Sequence, residues 1–109
     1  MFLLIAASGK IKNFDISSFI PDTTKVILFD GSKKIHNLIQ EYTEKRLIPK
    51  LIYKPNYRRY GISGPKKRDE ELVNNADMVV ALWNGKSKKI KHIIDYARKE
   101  GKDIKIIII

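Results

Sequence analysis

A chain of 109 residues with 43% hydrophobic content can bury one core but not two ordinary domains, and its β-branched apolar blocks exclude intrinsic disorder. With no cysteine, disulfides, thiolate nucleophiles and cysteine-ligated metals are excluded, and a cytoplasmic setting is the expectation. Lys and Arg number 22 against 12 Asp and Glu, a formal charge of +10, which favours nucleotides, nucleic acid or another anionic partner without choosing among them.

The elements follow in alternation. Phe2–Ala7 is a continuous apolar run that stops at Ser8-Gly9, the pattern of a strand buried on both faces; it is too short for a membrane span, and no membrane partner is expected. Residues 15–20 allow about one helical turn before Pro21. Lys25–Phe29 reads as the second strand, and Asp30-Gly31-Ser32 supplies a turn and a helix N-cap. Ile35, Leu38, Ile39 and Tyr42 recur at helical spacing, predicting a helix over Lys33–Arg46. Leu51–Tyr53 is a short third strand between Pro49 and Pro55, followed by a basic, aromatic connection over Lys54–Gly64. Pro65 suits a first helical turn, with Leu72, Val73 and Ala76 as the apolar face. Met78–Trp83 is the fourth strand. Asn84-Gly85-Lys86-Ser87 makes a turn and cap for a helix carrying Ile90, Ile93, Ile94 and Ala97, which Gly101 ends. Ile104–Ile109 closes as a fifth strand. This order predicts a single-domain α/β chain: a Rossmann-like three-layer fold with a five-stranded parallel sheet, standing alone or as a small homo-oligomer.

Ligands of such sheets bind outside the carboxyl ends of the strands. The residues expected there are Ser8, Gly9 and Lys10; Asp30, Gly31, Ser32 and Lys34, with His36 in the first helical turn; Tyr60 and Arg68; and Trp83, Asn84, Gly85, Lys86, Ser87 and Lys89. Half of the basic residues fall on these loops: Lys10, Lys33, Lys34, Arg58, Arg59, Lys66, Lys67, Arg68, Lys86, Lys88 and Lys89. An anion would meet free backbone N–H groups, helix N-termini and cationic side chains together; the competing reading is a solvated rim. Several sharper motifs fail. Gly85-Lys86-Ser87 imitates the end of a P-loop, but its earlier glycine would fall at Val80. No GxGxxG follows the first strand, so Asp30 completes no dinucleotide fingerprint. His36 and His92 have no metal-ligand spacing. No cofactor is implied, and Tyr53, Tyr57, Tyr60 and Trp83 are candidates for stacking on a base.

From Phe29 onward the motif order resembles the YspA-like branch of the SLOG superfamily, which also includes the Lonely Guy phosphoribohydrolases and DprA. Ala76–Ser87, continued by Lys91–Ala97, is similar to the family pattern AD-x-x-IA-x-W-D-GKS-x-GT-K-x-x-IDYA. Tyr60-Gly61 with Gly64–Asp69 is similar to YG-x-AAPLKRN, and residues 14–20 look like the family's short first crossover. The family's GGAKGID appears as Asp30–His36, its Gly-Thr pair becomes Lys89-Ile90, and Asp69 replaces its Asn. The resemblance implies a binding module for a nucleotide-derived ligand, with phosphate at Ser8-Gly9, Gly31-Ser32 and Gly85–Lys89, Arg68 clamping the anion, and Lys34 and Lys89 supplying charge in place of glycine N–H groups. The enzyme alternative is a nucleotide N-glycosidic hydrolase of Lonely Guy type, whose PGGxGT-x-x-E motif would place its Glu at Ile93. The remaining alternative is weak, non-specific nucleic-acid binding by a basic face.

Overall fold

The computed structural model describes residues 1–8, 15–33 and 35–109; Gly9, Lys10 and Lys34 lie outside the described residues. Five strands, β1 (Phe2–Ala7), β2 (Val26–Phe29), β3 (Lys50–Ile52), β4 (Met78–Trp83) and β5 (Asp103–Ile108), form one parallel sheet in the order β3-β2-β1-β4-β5. β1 is central, with Leu4 level with Leu28 on one side and Val79 on the other. Its two faces are both covered, which is why its sequence is unbroken by polar residues.

Successive side chains point to opposite faces of a strand, and two apolar layers result. On one face Leu4, Ala6, Leu28, Val79 and Ala81 pack under α3 (Gly64–Asn75) and α4 (Lys88–Lys99), through Leu72, Val73, Ile90, Ile93, Ile94 and Ala97. On the other, Leu3, Ile5, Ile27, Phe29, Val80 and Leu82 meet Ile16 and Ile20 of a short 3-10 segment, and Ile35, Ile39 and Tyr42 of the α1 region. Each fully buried aliphatic or aromatic side chain contributes about 1.5–3 kcal/mol by leaving water. The first crossover is the abbreviated one expected: a single 3-10 turn, Ile16–Phe19, capped by Asp15, whose Oδ1 accepts from Ser17 N–H at 3.0 Å, and followed by Pro21.

Several boundaries differ from the sequence reading, β2 among them, which starts at Val26 and not Lys25. α1 runs over His36–Arg46, starting later than Lys33, and Ile35 at its N-cap gives no side-chain cap. The physical reason is local: the Asp30 carboxylate draws in Ser32 N–H at 2.9 Å, holding Asp30–Ser32 in a turn instead of opening a helix. The connection over residues 54–64 is not irregular throughout, since it contains a four-residue helix, α2 (Tyr57–Tyr60), capped by Asn56, and a 3-10 turn, Gly61–Ser63. β3 and β5 each begin one residue earlier than expected. No helix among the described residues is long and apolar enough to cross a membrane.

Candidate functional site

The chain runs from β1 outward through β2 to β3, then returns past β1 to add β4 and β5 on the other side. The direction reverses between β1 and β4, and it is there, at the carboxyl ends, that a doubly wound sheet leaves a crevice. Ser8, buried at 3% exposure, follows the carboxyl end of β1. Its N–H donates to Leu82 O at 2.9 Å, and its Oγ accepts from Asn84 N–H at 2.9 Å, tying the end of β1 to the loop after β4.

The two loops flanking the crevice share one design. After β2, Asp30 Oδ1 accepts from Ser32 N–H, with Gly31 at φ 79°. After β4, Asn84 Oδ1 accepts from Lys86 N–H at 2.8 Å and Ser87 N–H at 2.9 Å, with Gly85 also at φ 79°. Ser87 Oγ then caps α4 by accepting from Ile90 N–H at 3.3 Å. The expectation of free backbone N–H groups for an anion is therefore corrected in part: Ser32, Lys86, Ser87 and Ile90 donate to side chains of their own loops, because an Asx turn satisfies the same donors a phosphate would use.

The cations nearest the crevice are paired too. Lys89 Nζ, at the start of α4, hydrogen-bonds Asp30 Oδ2 and lies 4.0 Å from Asp69 Oδ1. Arg68 Nε donates to Asp69 Oδ1 at 3.0 Å, and Arg68 Nη2 lies 4.0 Å from Asp30 Oδ2. Two carboxylates and two cations thus form one tetrad bridging β2, α3 and α4. In this structure Arg68 clamps aspartates rather than an open anion site. Asp69 is 3% exposed, whereas the Lys89 side chain is 42% exposed and is the member free to swing outward. The two acids titrate in opposite directions. Burial works to raise Asp30, but the hydrogen bond and charge of Lys89, Ser32 N–H and the Arg68 charge outweigh it and hold the carboxyl below its ordinary value of 3.8. For Asp69 burial dominates, and Lys89 and Arg68 offset it only in part, so this carboxyl is raised.

Beneath the tetrad only about 10 Å³ of space remains, bounded by Leu4–Ala7, Leu72, Ile90 and Ile93 together with Asp30, Asp69 and Lys89. Outside it, sharing Asp69 and Lys89, a cleft of about 470 Å³ lies between the N-terminal ends of α3 and α4, lined also by Ile62, Pro65, Lys66, Lys88 and His92. That volume is in the range that takes small-molecule ligands. His92 Nε2 is 3.0 Å from Glu70 Oε2, linking α4 to α3 at the cleft margin. A concavity of about 450 Å³ between the 3-10 turn and α1 is lined by Glu41, Lys45, Arg46 and Tyr42; its Lys45 pairs with Glu41 and its Arg46 stacks on Tyr42, and it holds no strand carboxyl end.

The remaining sequence-selected residues divide cleanly. Trp83 is half-buried against the α3–α4 core and its Nε1–H donates to Ser87 O at 3.1 Å, so it braces the loop after β4. His36 begins α1 with its ring 6.0 Å from that of Phe29. Tyr60 lies on α2, at the surface, with the Arg59 guanidinium 5.2 Å from its ring centroid. Asp69 is the residue that sequence reasoning did not select; its signal was the departure from Asn beside the retained Arg68. Among the described residues no group of three or more His, Asp or Glu side chains is arranged to hold a metal. Comparison with protein-family models, curated proteins and solved structures finds no match for this chain.

Proposed function

We propose that the chain is a cytoplasmic binding module for a nucleotide or nucleotide-derived ligand, seated in the cleft between α3 and α4 and anchored on the tetrad at its inner end. The observation that carries this reading is the juxtaposition of an open cleft of about 470 Å³ with a mixed-charge tetrad, only its Asp69 fully buried, at the carboxyl edge where the strand order reverses. Such a place offers both a cationic partner for phosphate and acceptors for hydroxyl or amino groups. The SLOG resemblance supports the same ligand class. Ile93, where a Lonely Guy enzyme would carry its Glu, is 2% exposed in the core, and an aliphatic side chain cannot act as acid or base, which favours binding over hydrolysis.

The test is a thermal-shift series with AMP, cyclic AMP and ADP-ribose at low and physiological salt. A ligand that binds only the folded state raises the melting temperature, by RT ln(1 + [L]/Kd) in free energy. A concentration-dependent rise that persists at physiological salt is the expected result; no rise with any of the three overturns the proposal. A second reading, weak nucleic-acid binding, is favoured by one observation: Arg58, Arg59, Lys66, Lys86 and Lys88 are exposed and make no ion pair among the described residues, and Tyr57 and Tyr60 are exposed beside the two arginines on α2.

A further inference from the structure

The sheet has two edge strands, β3 and β5, and only the first is guarded. β3 is three residues long, begins at Lys50 and is bracketed by Pro49 and Pro55; short length, charge and proline all stop an edge from pairing further. β5 runs for six residues in unbroken register with β4, without proline or bulge, and five of the last six residues of the chain are isoleucine. We infer that β5 pairs antiparallel with β5 of a second copy of this chain across a two-fold axis, making a dimer whose sheet is continuous through both copies.

The backbone shows which groups are on offer. Ile109 N–H donates to Trp83 O at 2.9 Å, and the backbone groups of alternate residues turn to the same side of a strand. Residues 103, 105 and 107 therefore spend their N–H and C=O groups on β4, and those of Ile104, Ile106 and Ile108 face outward. Such a row of open donors and acceptors is a template for another strand. Water can satisfy the amides of a lone copy, but it does not suit the side chains: Ile108 is 68% exposed, and Ile104 and Ile106 are only partly covered by the α3–α4 layer.

Charge names the second copy as the occupant. Asp103 and Lys105 flank Ile104 and, by the period of two, share one face of β5. Both are exposed, and neither makes an ion pair among the described residues; the Lys105 ammonium lies 5.6 Å from the centroid of the Phe19 ring. With the axis through Ile104, the two Ile104 residues exchange N–H···O=C bonds, and Asp103 of each copy falls opposite Lys105 of the other. These are the positions without backbone bonds, where facing side chains come closest. An axis through residue 103 or 105 would set Asp against Asp or Lys against Lys, which destabilises a sheet. An axis through Ile106 would leave both charges opposite isoleucine. The strand is thus complementary to itself in one register, and with one acid and one base it lets two chains of net charge +10 meet along a neutral edge. Because the pairing is isologous, it closes at two copies.

Sedimentation velocity at physiological salt, across the micromolar to millimolar range, tests this on the wild type, D103K, K105D and an equimolar mixture of the two variants. The wild type is expected to pass from monomer to dimer as concentration rises. Each variant alone sets like charges opposite one another twice, and should dimerise more weakly by about tenfold or more. In the mixture one copy offers two lysines and the other two aspartates, so both pairings are restored and the dimer returns. A wild type that stays monomeric throughout, a wild-type assembly larger than a dimer, a dimer indifferent to either substitution, or a mixture as weak as its components overturns the inference. Both side chains are exposed, so the variants are expected to fold; should one fail to, amide exchange on the wild type decides. The outward Ile104 N–H must become protected in step with dimerisation, and equal exchange of that amide in monomer and dimer overturns the inference.

Discussion

Two sets of cations sit at the same edge of the sheet. Arg68 and Lys89 are held by Asp30 and Asp69 across three elements, while Arg58, Arg59, Lys66, Lys86 and Lys88 form an outer ring in solvent with no acidic partner among the described residues. The inner set is low-dielectric chemistry, where removing one charge strands another; the outer set is a screened field, where charges act additively and weakly. Net charge of +10 describes both together and so hides the difference.

The sharpest way to break that contrast is to delete one cation from each set. Arg68→Ala leaves buried Asp69 without its hydrogen-bonding cation and with only Lys89, 4.0 Å away, and urea unfolding should register a loss of about 3 kcal/mol or more. Lys88→Ala removes an equal charge from the rim and should change stability by less than about 0.5 kcal/mol. Comparable losses from the two would dissolve the distinction.

Within the tetrad the two acids should differ in sign. Asp30 is held below its ordinary value of 3.8, so its stabilisation is fully present above that pH and is lost as pH falls through its lowered folded value. Asp30→Asn should cost about 1.5–3 kcal/mol at pH 7, the range for a hydrogen bond to a charged group, and should converge with wild type in acid. Asp69 is raised above 3.8; its contribution is full below 3.8 and is lost as pH rises through the folded value, so at neutral pH its ionised form is a burden. Asp69→Asn keeps an oxygen for Arg68 and should be at least as stable as wild type at pH 7. Urea unfolding of the three proteins between pH 3 and pH 7 reads both signs, and parallel curves for the two variants would refute the assignment.

The two loops offer a finer comparison. Gly31 and Gly85 share φ 79°, but a Cβ on Gly31 would meet Ile52 Cγ2 at 2.8 Å, whereas one on Gly85 meets nothing within 4 Å. Alanine at 85 should cost about 1–2 kcal/mol from backbone handedness alone. Alanine at 31 carries that cost plus displacement of Ile52, so its melting temperature should be the lower of the two. A reversed order would show that the loop after β4 is the tighter one.

The strands were legible because burial on both faces writes itself as unbroken apolar runs; β1 and β4 fall at the boundaries the sequence indicates. α4 was equally plain, since Ile90, Ile93, Ile94 and Ala97 form one buried stripe and Ser87 caps it. α2 was not, because its four residues bury nothing and so leave no periodic signature. The loops that meet at the crevice could be named in advance, because topology alone brings the carboxyl ends of parallel strands together. Their internal pairing could not be: Asp30 and Lys89 lie 59 residues apart, and their contact depends on sheet register and on how α4 rotates over the sheet, which no local pattern encodes. Two of the cations that looked available in the sequence, Arg68 and Lys89, therefore proved to be partnered.

The smallest effects belong to the outer ring, and they concern binding rather than stability. A single-stranded oligonucleotide laid on that ring would be held by phosphate contacts, each releasing counterions, so the logarithm of its affinity falls linearly with the logarithm of salt concentration, by about 0.7 per phosphate neutralised. Because the rim charges are solvated and make no ion pair among the described residues, each contributes separately. Neutralising Lys66, Lys86 or Lys88 one at a time should weaken binding modestly and reduce the salt slope by less than one unit each. Arg68→Ala should leave the slope unchanged if the protein remains folded at the assay temperature, since Arg68 is 10% exposed and faces carboxylates. Fluorescence anisotropy with a short labelled oligonucleotide, titrated at several salt concentrations, measures both quantities. A collapse of binding on losing one rim lysine would instead indicate a discrete phosphate site, and a reduced slope in folded Arg68→Ala protein would draw the tetrad into the same surface.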